Sequence, residues 1–399
     1  MTDQLTGPLA GVRVIDLSRV LGGPYCTQIL ADYGADVIKV EPPQGDETRG
    51  WGPPFNDGLS AYFSGANRNK RSIAIDAGKT EGRDIILRLL DGADVLVHNF
   101  KPGALEKWGL GFETVLQARF PRLILCHVTG FGADGPLGGF PGYDAVVQAM
   151  TGLMSINGHP DGGPMRMGTP IVDIGTGLVA CNAILAALFE RTRSGLGQAI
   201  EVPLYDSAIS ILHPQAANSL MSGNVPISTG NGHPNIAPYD MYPTRTKPIY
   251  LAVGNNGQFA KLCEYLGLHD MACDPRFTDN ASRLKHREAL TLALKSRLAE
   301  MDAETLEPEL LSIGVPAGVV RNVNEALAHP HTKHRGMVVS LGSYRGTGIP
   351  ARLSRTPGNV RTAPPRFGEN TTAVLAEAGY SEEEIFGLLR SAVVKQAED

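Results

Sequence analysis

Along the first third of the chain, short apolar runs alternate with stretches in which apolar residues recur every three to four positions. VRVIDLS at 12–18 has the pattern of a buried strand; a Gly-Gly-Pro turn follows, then YCTQILADYG with helical spacing, then ADVIKVE at 35–41. Two apolar runs joined by a helix predict a βαβ unit with parallel strands. Further strands are predicted in RSIAID at 71–76, DVLVHNF at 94–100, RLILCHVTGFG at 122–132 and QAIEVPLYD at 198–206. This alternation predicts an α/β fold, a parallel sheet covered by crossover helices. IGTGLVACNAILAALFERT, directly after Asp173, is apolar nearly all round and predicts a buried helix.

The pattern changes near residue 207. MSGNVPISTGNGHPNIAPYDMYPT at 221–244 is rich in Gly, Pro and Asn and predicts a long ordered loop. A new unit begins beyond it, with a strand in PIYLAVGN, a helix in GQFAKLCEYLG and one amphipathic helix in RLKHREALTLALKSRLAEM at 283–301. Turns and short strands are expected over 335–370 and a closing helix near 381–396.

With 399 residues and 42% hydrophobic content the chain can bury a full core, which argues against disorder as its dominant state. Its 36 basic and 41 acidic residues are scattered, so no basic stripe is offered to nucleic acid or to an anionic membrane. The segment MTDQLTGPLAGVRVIDLS has no basic and apolar leader pattern, and no run gives about 18 uninterrupted apolar residues. The expectation is a soluble, cytoplasmic protein. Five cysteines (Cys26, Cys126, Cys181, Cys263, Cys273) without CxxC spacing predict free thiols. His329, His331 and His334 crowd around Pro330 without a Cys or carboxylate at ligand spacing, which predicts a solvated loop and no metal.

The opening βαβ unit invites comparison with a dinucleotide fold, and Glu41 ends its second strand. The glycines fail that test: VLGGPY at 20–25 has Gly22 and Gly23 but no GxGxxG. RMGTPIVDIGTGLVA at 166–180 is more informative, because it sets Asp173 between a Gly-Pro loop and a long apolar helix. A carboxylate there suits two tasks. It can cap the helix, or it can act as a nucleophile beside backbone donors. Spacing does not decide between them.

Several long motifs in fixed order bear on the choice: IDLSRVLGGPYCTQILADYGADVIKVEPP, NRNKRSI at 67–73, HNFKPGALEKWGL at 98–110, GFGADGPLGGFPGYD at 130–144, RMGTPIVDIGTG at 166–177 and GNGHPNIAPYDMYPT at 230–244. Together they resemble the family III CoA transferases, the group that includes formyl-CoA transferase and the CaiB proteins. The resemblance implies a Rossmann-like large domain over 1–205, a linker over 206–230, a smaller α/β domain over 231–325, and a return to the large domain over 326–399. It further implies an interlocked homodimer, with each active site between the large domain of one subunit and the small domain of the other.

By the same resemblance Asp173 is the catalytic aspartate, and Leu21, Gly22, Asn99, Phe100, Lys101, Lys107, Tyr143 and Asp144 meet the CoA thioester. The family often has a basic residue after the glutamate; here Pro42 follows Glu41, and Arg71 and Lys79 are the candidate substitutes. Gly230 and Gly232 fall in a glycine loop that can close over the site, with backbone freedom suited to a lid, and Arg166 offers a fork to an acid substrate. Implied partners are an acyl-CoA, with succinyl-CoA as donor, and a small dicarboxylic acid or sulfinic analogue as acceptor; no tightly bound cofactor is implied. Oxalate and formate fit less well, because the loop lacks a run of consecutive glycines, and carnitine lacks an aromatic cage. The α-methylacyl-CoA racemases share the fold, but their histidine falls at Gly139 here. A catalytically silent CoA-binding protein is the remaining alternative.

Overall fold

The structure, a computed structural model, describes residues 6–397. Packing divides the chain into two units, one built from residues up to 153, 166–217 and from 330 onward, the other from 154–165 and 218–329. Sequence alone places 154–165 with the larger unit and closes the smaller one at 325. In the structure that segment is fastened to the loop before residue 239: Gly230 N donates to Gly158 O at 3.1 Å and Ser228 Oγ to His159 O at 3.3 Å.

The larger unit is organised by six parallel strands, β1 (Arg13–Asp16), β2 (Asp36–Glu41), β3 (Lys70–Ile75), β4 (Val95–His98), β5 (Ile124–Thr129) and β6 (Ala199–Pro203). Their spatial order is β3, β2, β1, β4, β5, β6, and a short antiparallel strand, Val394–Lys395, closes the edge beside β3. The chain steps outward from β1 on one side, then returns and steps outward on the other. The gap between the carboxyl ends of β1 and β4 is therefore a switch point, where successive loops part and leave a crevice.

Helices cover both faces of this sheet, which explains why its strands read as nearly continuous apolar runs. On one face Ile15, Ile38, Ile73 and Leu96 pack with Ile85 and Leu89. On the other, Val14, Val37, Val95 and Cys126 meet two helices, α1 (Gly22–Asp32) and α3 (Ile171–Ser194), through Cys26, Leu30, Cys181 and Ile184. These helices approach so closely that a Cβ on Gly177 would stand 2.7 Å from Gly22 O. All five thiols are free.

Beneath the β1–α1 loop lies a buried polar network. Lys70 Nζ donates to Asp16 Oδ2 (3.0 Å), Pro24 O (2.8 Å) and Asn67 Oδ1 (2.9 Å). Lys39 Nζ donates to Ser18 O and to Asp46 Oδ2, both at 2.9 Å. Burial pushes the Asp16 carboxyl up, but Lys70 and Lys39, with the Ser18 and Thr27 hydroxyls, outweigh it and hold it below the usual carboxylate range. The basic cluster NRNKRSI is thus scaffold: Arg68 is paired with Asp32 at 2.7 Å and Lys70 with Asp16.

Four regular elements depart from the sequence pattern. The helix predicted over 283–301 is two, Asn280–Lys285 and Arg287–Leu298. The guanidinium of Arg283 is drawn inward to donate to Ala237 O (2.7 Å) and Phe277 O (2.9 Å), a polar residue at a buried position that periodicity cannot anticipate. The closing helix ends at Arg390, and the chain goes on to the antiparallel strand. The His329–His334 region contains a short helix, Pro330–His334, begun by a proline whose missing N–H costs nothing there. Finally, α3 is buried on one face only; Leu178, Val179, Leu185 and Phe189 are exposed. By length and composition α3 could cross a membrane, and its other face packs on α1 and the sheet.

The smaller unit has an antiparallel sheet of Tyr239–Tyr242, Ile249–Ala252 and Ala317–Val319, packed against helices including Asn256–Leu266 and Arg287–Leu298.

Replacing Lys70 by Met should leave the Asp16 carboxylate buried and unpaired. We expect a loss of about 3–5 kcal/mol in urea unfolding; a loss under about 1 kcal/mol would show that the pair does not support the loop.

Candidate active site

Two loops meet at the switch point. In the first, Val20 has φ of 70°, a left-handed conformation that a β-branched residue rarely adopts. Its neighbour is clamped from the second loop: Asn99 Oδ1 accepts from Arg19 N (2.9 Å) and Asn99 Nδ2 donates to Arg19 O (2.7 Å). Surrounding contacts of this kind hold strained backbone in place.

These loops wall a cavity of about 510 Å³. Leu21 and Gly22 line it from the start of α1, Asn99, Phe100, Lys101 and Lys107 from the segment after β4, Tyr143 from the residue before a third helix, α2 (Asp144–Met150), and Asp173 from the first turn of α3. A second cavity of about 550 Å³ is bounded by Glu41–Gln44 and Asp76–Gly78 and shares Arg19, Phe100 and Trp108 with the first.

Asp173 is not the cap of its helix. The N-cap position is Pro170, which makes no side-chain cap bond. The first-turn donors are satisfied from α2 instead: Asp144 Oδ2 accepts from Val172 N (2.8 Å) and Asp173 N (3.1 Å). Asp144 is oriented by Gln148, whose Nε2 donates to Asp144 Oδ1 at 2.6 Å and whose Oε1 accepts from Met167 N at 3.0 Å. The half-buried carboxylate of Asp173 is left facing the cavity, close enough to α1 that a Cβ on Gly22 would lie 3.5 Å from its Oδ1. Burial, and then the Asp144 charge, push its pKa from the ordinary 3.8 up to about 7. Such a group is partly ionised at neutral pH, more basic than a surface aspartate, and able to attack a carbonyl.

The cavity thus gathers Asp173, Leu21, Gly22, Asn99, Phe100, Lys101, Lys107 and Tyr143. Asp144 stands behind it on the backbone of α3. Arg71 is not brought there; it is the second residue of β3, with its guanidinium bound to Asp36 at 2.8 Å, the first residue of β2, and to Glu377 at 2.7 Å. Lys79 Nζ is engaged by Ser391 O and Ala392 O. Arg166 is exposed, with Nη1 donating to Met167 O at 3.2 Å.

Gly230 and Gly232 lie in the smaller unit. Gly230 has φ of 63°, whereas Gly232 has no positive φ; a Cβ there would lie 3.1 Å from Arg287 Nη1, a tight contact with the end of a flexible side chain. The loop around them is fastened: Tyr250 Oη donates to Asn231 O at 2.6 Å, and Arg287 Nη2 to His233 O at 2.7 Å.

Two residues near the site escape a reading of the sequence. Arg19 lines both cavities. Tyr62, packed edge-on against Trp51 at 5.0 Å, is pushed up to about 12 by burial and then by the Asp173 and Asp144 charges. No local signal marks Tyr62, because its proximity to Asp173 is created by tertiary packing across more than a hundred residues.

Comparison with known proteins adds an independent line. The model of CoA-transferase family III matches residues 9–371. The chain is 44% identical over 382 residues to the succinate–glutarate CoA-transferase of Agrobacterium fabrum, covering 93% of this chain and 95% of that one. It is 38% identical to the acetyl-CoA:oxalate CoA-transferase of Acetobacter aceti, covering 93% and 96%. Among solved structures, a CaiB/BaiF family protein from Brucella suis matches with a TM-score of 0.85 and 43% identity, over 94% of this chain and 100% of that one.

Because the folded pKa of Asp173 lies above the unfolded value, the native state holds the proton more tightly. Ionising the carboxylate then costs stability progressively as pH rises from about 4, and the cost levels off above about 7. Asp173→Asn should therefore raise stability above pH 7 by about 2 kcal/mol, after discounting for partial exposure, and by little at pH 4. Melting temperatures across pH 4–8 check this; a gain independent of pH would show that the carboxylate is not destabilised in the site.

Proposed function

The chain belongs to CoA-transferase family III, an enzyme family whose substrates are CoA thioesters, and from that premise we propose that Asp173 carries the transferred group. The observation that bears most weight is a basic carboxylate, relieved of helix capping by Asp144 and opening onto the cavity at the switch point. In this reading Asp173 attacks the thioester carbonyl, the carbon–sulfur bond breaks, and CoA leaves as thiolate while an acyl-aspartyl anhydride forms. The thiolate then attacks the aspartyl carbonyl, which releases the donor carboxylate and leaves CoA on Asp173 as a thioester. The acceptor carboxylate attacks that thioester and regenerates thiolate, and the thiolate attacks the acceptor's carbonyl. Acceptor-CoA departs and the Asp173 carboxylate returns. Both activated forms are lost to water if it enters, so the walls around Asp173 have water exclusion as part of their task.

The proposed donor is succinyl-CoA and the proposed acceptor a small dicarboxylic acid, glutarate first. Support comes from the glutarate and oxalate specificities in the names of two relatives, both of them dicarboxylates. Lys101 and Lys107 on the cavity wall supply positive charge for an anionic ligand. The racemase alternative is disfavoured by Gly139, which offers no acid or base at the position of the racemases' histidine. A second copy of the chain is proposed to cover the apolar face of α3, where Phe189 is 68% exposed and Leu178 is 52% exposed. The proposed setting is the cytoplasm, which suits five free thiols.

Incubation with succinyl-CoA should leave a hydroxylamine-sensitive adduct on Asp173, found by mass spectrometry, and Asp173→Ala should abolish transfer. Full activity in that variant would overturn the mechanism. Transfer should fall about tenfold per pH unit below about 7 as Asp173 is protonated. In a panel of two- to six-carbon acids, glutarate should be among the best acceptors and acetate poor; the reverse order would exclude a dicarboxylate site. Sedimentation at micromolar concentration should give twice the chain mass, and a monomer would exclude the dimer.

A further inference from the structure

Arg19 stands where the two cavities join, lining both together with Phe100 and Trp108. Its backbone is fixed on both sides by the Asn99 amide, so the side chain has a rigid root. The guanidinium lies 5.9 Å from the centre of the Phe100 ring. Its Nε is buried and has no hydrogen-bond partner among the described residues. Its charge is met only loosely, with Nη1 at 3.6 Å from Glu47 Oε2, too long for a hydrogen bond, and both side chains more than a third exposed.

A buried donor without an acceptor is costly, and a guanidinium is built to take oxygen atoms in pairs. The arrangement therefore has a cation whose present partner is weak and whose inward donor is unmet. A thioester at Asp173 and a nucleotide in the second cavity would be joined by a chain that passes this junction. In coenzyme A the group between nucleotide and pantetheine is a diphosphate. We propose that Arg19 binds this diphosphate, and that Glu47 holds the guanidinium only until the diphosphate displaces it. The proposal rests on the transferase reading. Lys101 and Lys107, on the wall of the first cavity alone, add charge without a fixed fork.

The assignment makes predictions of opposite sign for the two partners. Arg19→Met should raise KM for succinyl-CoA at least tenfold while leaving KM for succinyl-pantetheine, which lacks the diphosphate, within twofold. Succinyl-dephospho-CoA keeps the diphosphate but lacks the 3′-phosphate, and should show the same loss as succinyl-CoA. Arg19→Lys should give an intermediate KM, which guards against reading a folding defect as a binding effect. Glu47→Gln should lower KM for succinyl-CoA severalfold by removing the competing carboxylate, without changing KM for succinyl-pantetheine. An equal rise for the pantetheine thioester in Arg19→Met would overturn the proposal in favour of a loop-shaping role. Insensitivity of the dephospho thioester would overturn it in favour of the 3′-phosphate. Wild-type protein inactive with every thioester would count against the transferase reading instead, and calorimetric CoA binding by wild type and Arg19→Met would still decide the role of Arg19.

Discussion

The site depends on two hydrogen bonds that the Asp173 carboxylate does not accept. Asp144, reaching across from α2, accepts from the backbone N–H groups of Val172 and Asp173 and so takes over the capping of α3. A helix of 24 residues needs its first-turn donors met, and an aspartate in that turn is ordinarily drawn to them. With the donors already satisfied, the Asp173 carboxylate is released toward the cavity. Gln148 completes the arrangement by holding Asp144 on one side and Met167 N on the other. One acceptor on a neighbouring helix thus leaves the Asp173 carboxylate free of capping and available for the role proposed for it.

The rest of the larger unit holds that geometry still. Gly177 and Gly22 let α3 and α1 approach at backbone distance, which fixes Asp173 relative to the β1–α1 loop. The loop carries strained Val20, and what holds it lies beneath and beside it: Lys39 on Ser18 O, Lys70 on Pro24 O, and Asn99 on both backbone groups of Arg19. Removing charged groups from water is expensive, and these pairs are fully buried. Their effect is positional, since each ammonium bridges an acidic side chain and a backbone carbonyl of the β1–α1 segment.

Much of this architecture was legible in the sequence because its strands are buried on both faces and leave unbroken apolar runs. Asp173 was legible as a candidate because it sits at a loop–helix junction, but the choice between cap and nucleophile was not, since the group that decides it is 29 positions away in Asp144. Arg71 shows the opposite failure. A basic residue in a strand looks available to a phosphate, yet the crevice opens at the carboxyl ends of the strands and Arg71 lies near the amino end of its strand. Arg68 and Lys70, in the same motif, are neutralised internally by Asp32 and Asp16. The attachment of 154–165 to the smaller unit is made through backbone carbonyls of Gly158 and His159, which carry no side-chain signature within that segment. The helix predicted over 283–301 divides at His286, whose φ of −112° and ψ of 29° end one helix and begin the next, a local turn that periodicity does not mark.

Placing a second carboxylate beside one proposed as a nucleophile looks counterproductive, since it disfavours the ionised form that would attack. The location of Asp144 resolves this. By accepting from the first-turn N–H groups it also opposes the positive end of the helix, which would otherwise stabilise the Asp173 anion and make it less basic. The anion that remains is raised to a pKa of about 7 by burial and repulsion. In the mechanism proposed, attack on a carbonyl converts that anion into a neutral anhydride and then a neutral thioester. The charge departs from the place where it is least favoured as the bond forms, onto the leaving thiolate, in a cavity whose wall includes Lys101 and Lys107. An interaction that destabilises the resting carboxylate but not the covalent adduct lowers the barrier between them. In that mechanism Asp144 serves the same step twice, by leaving the Asp173 carboxylate facing the cavity and by raising the energy of its ionised form.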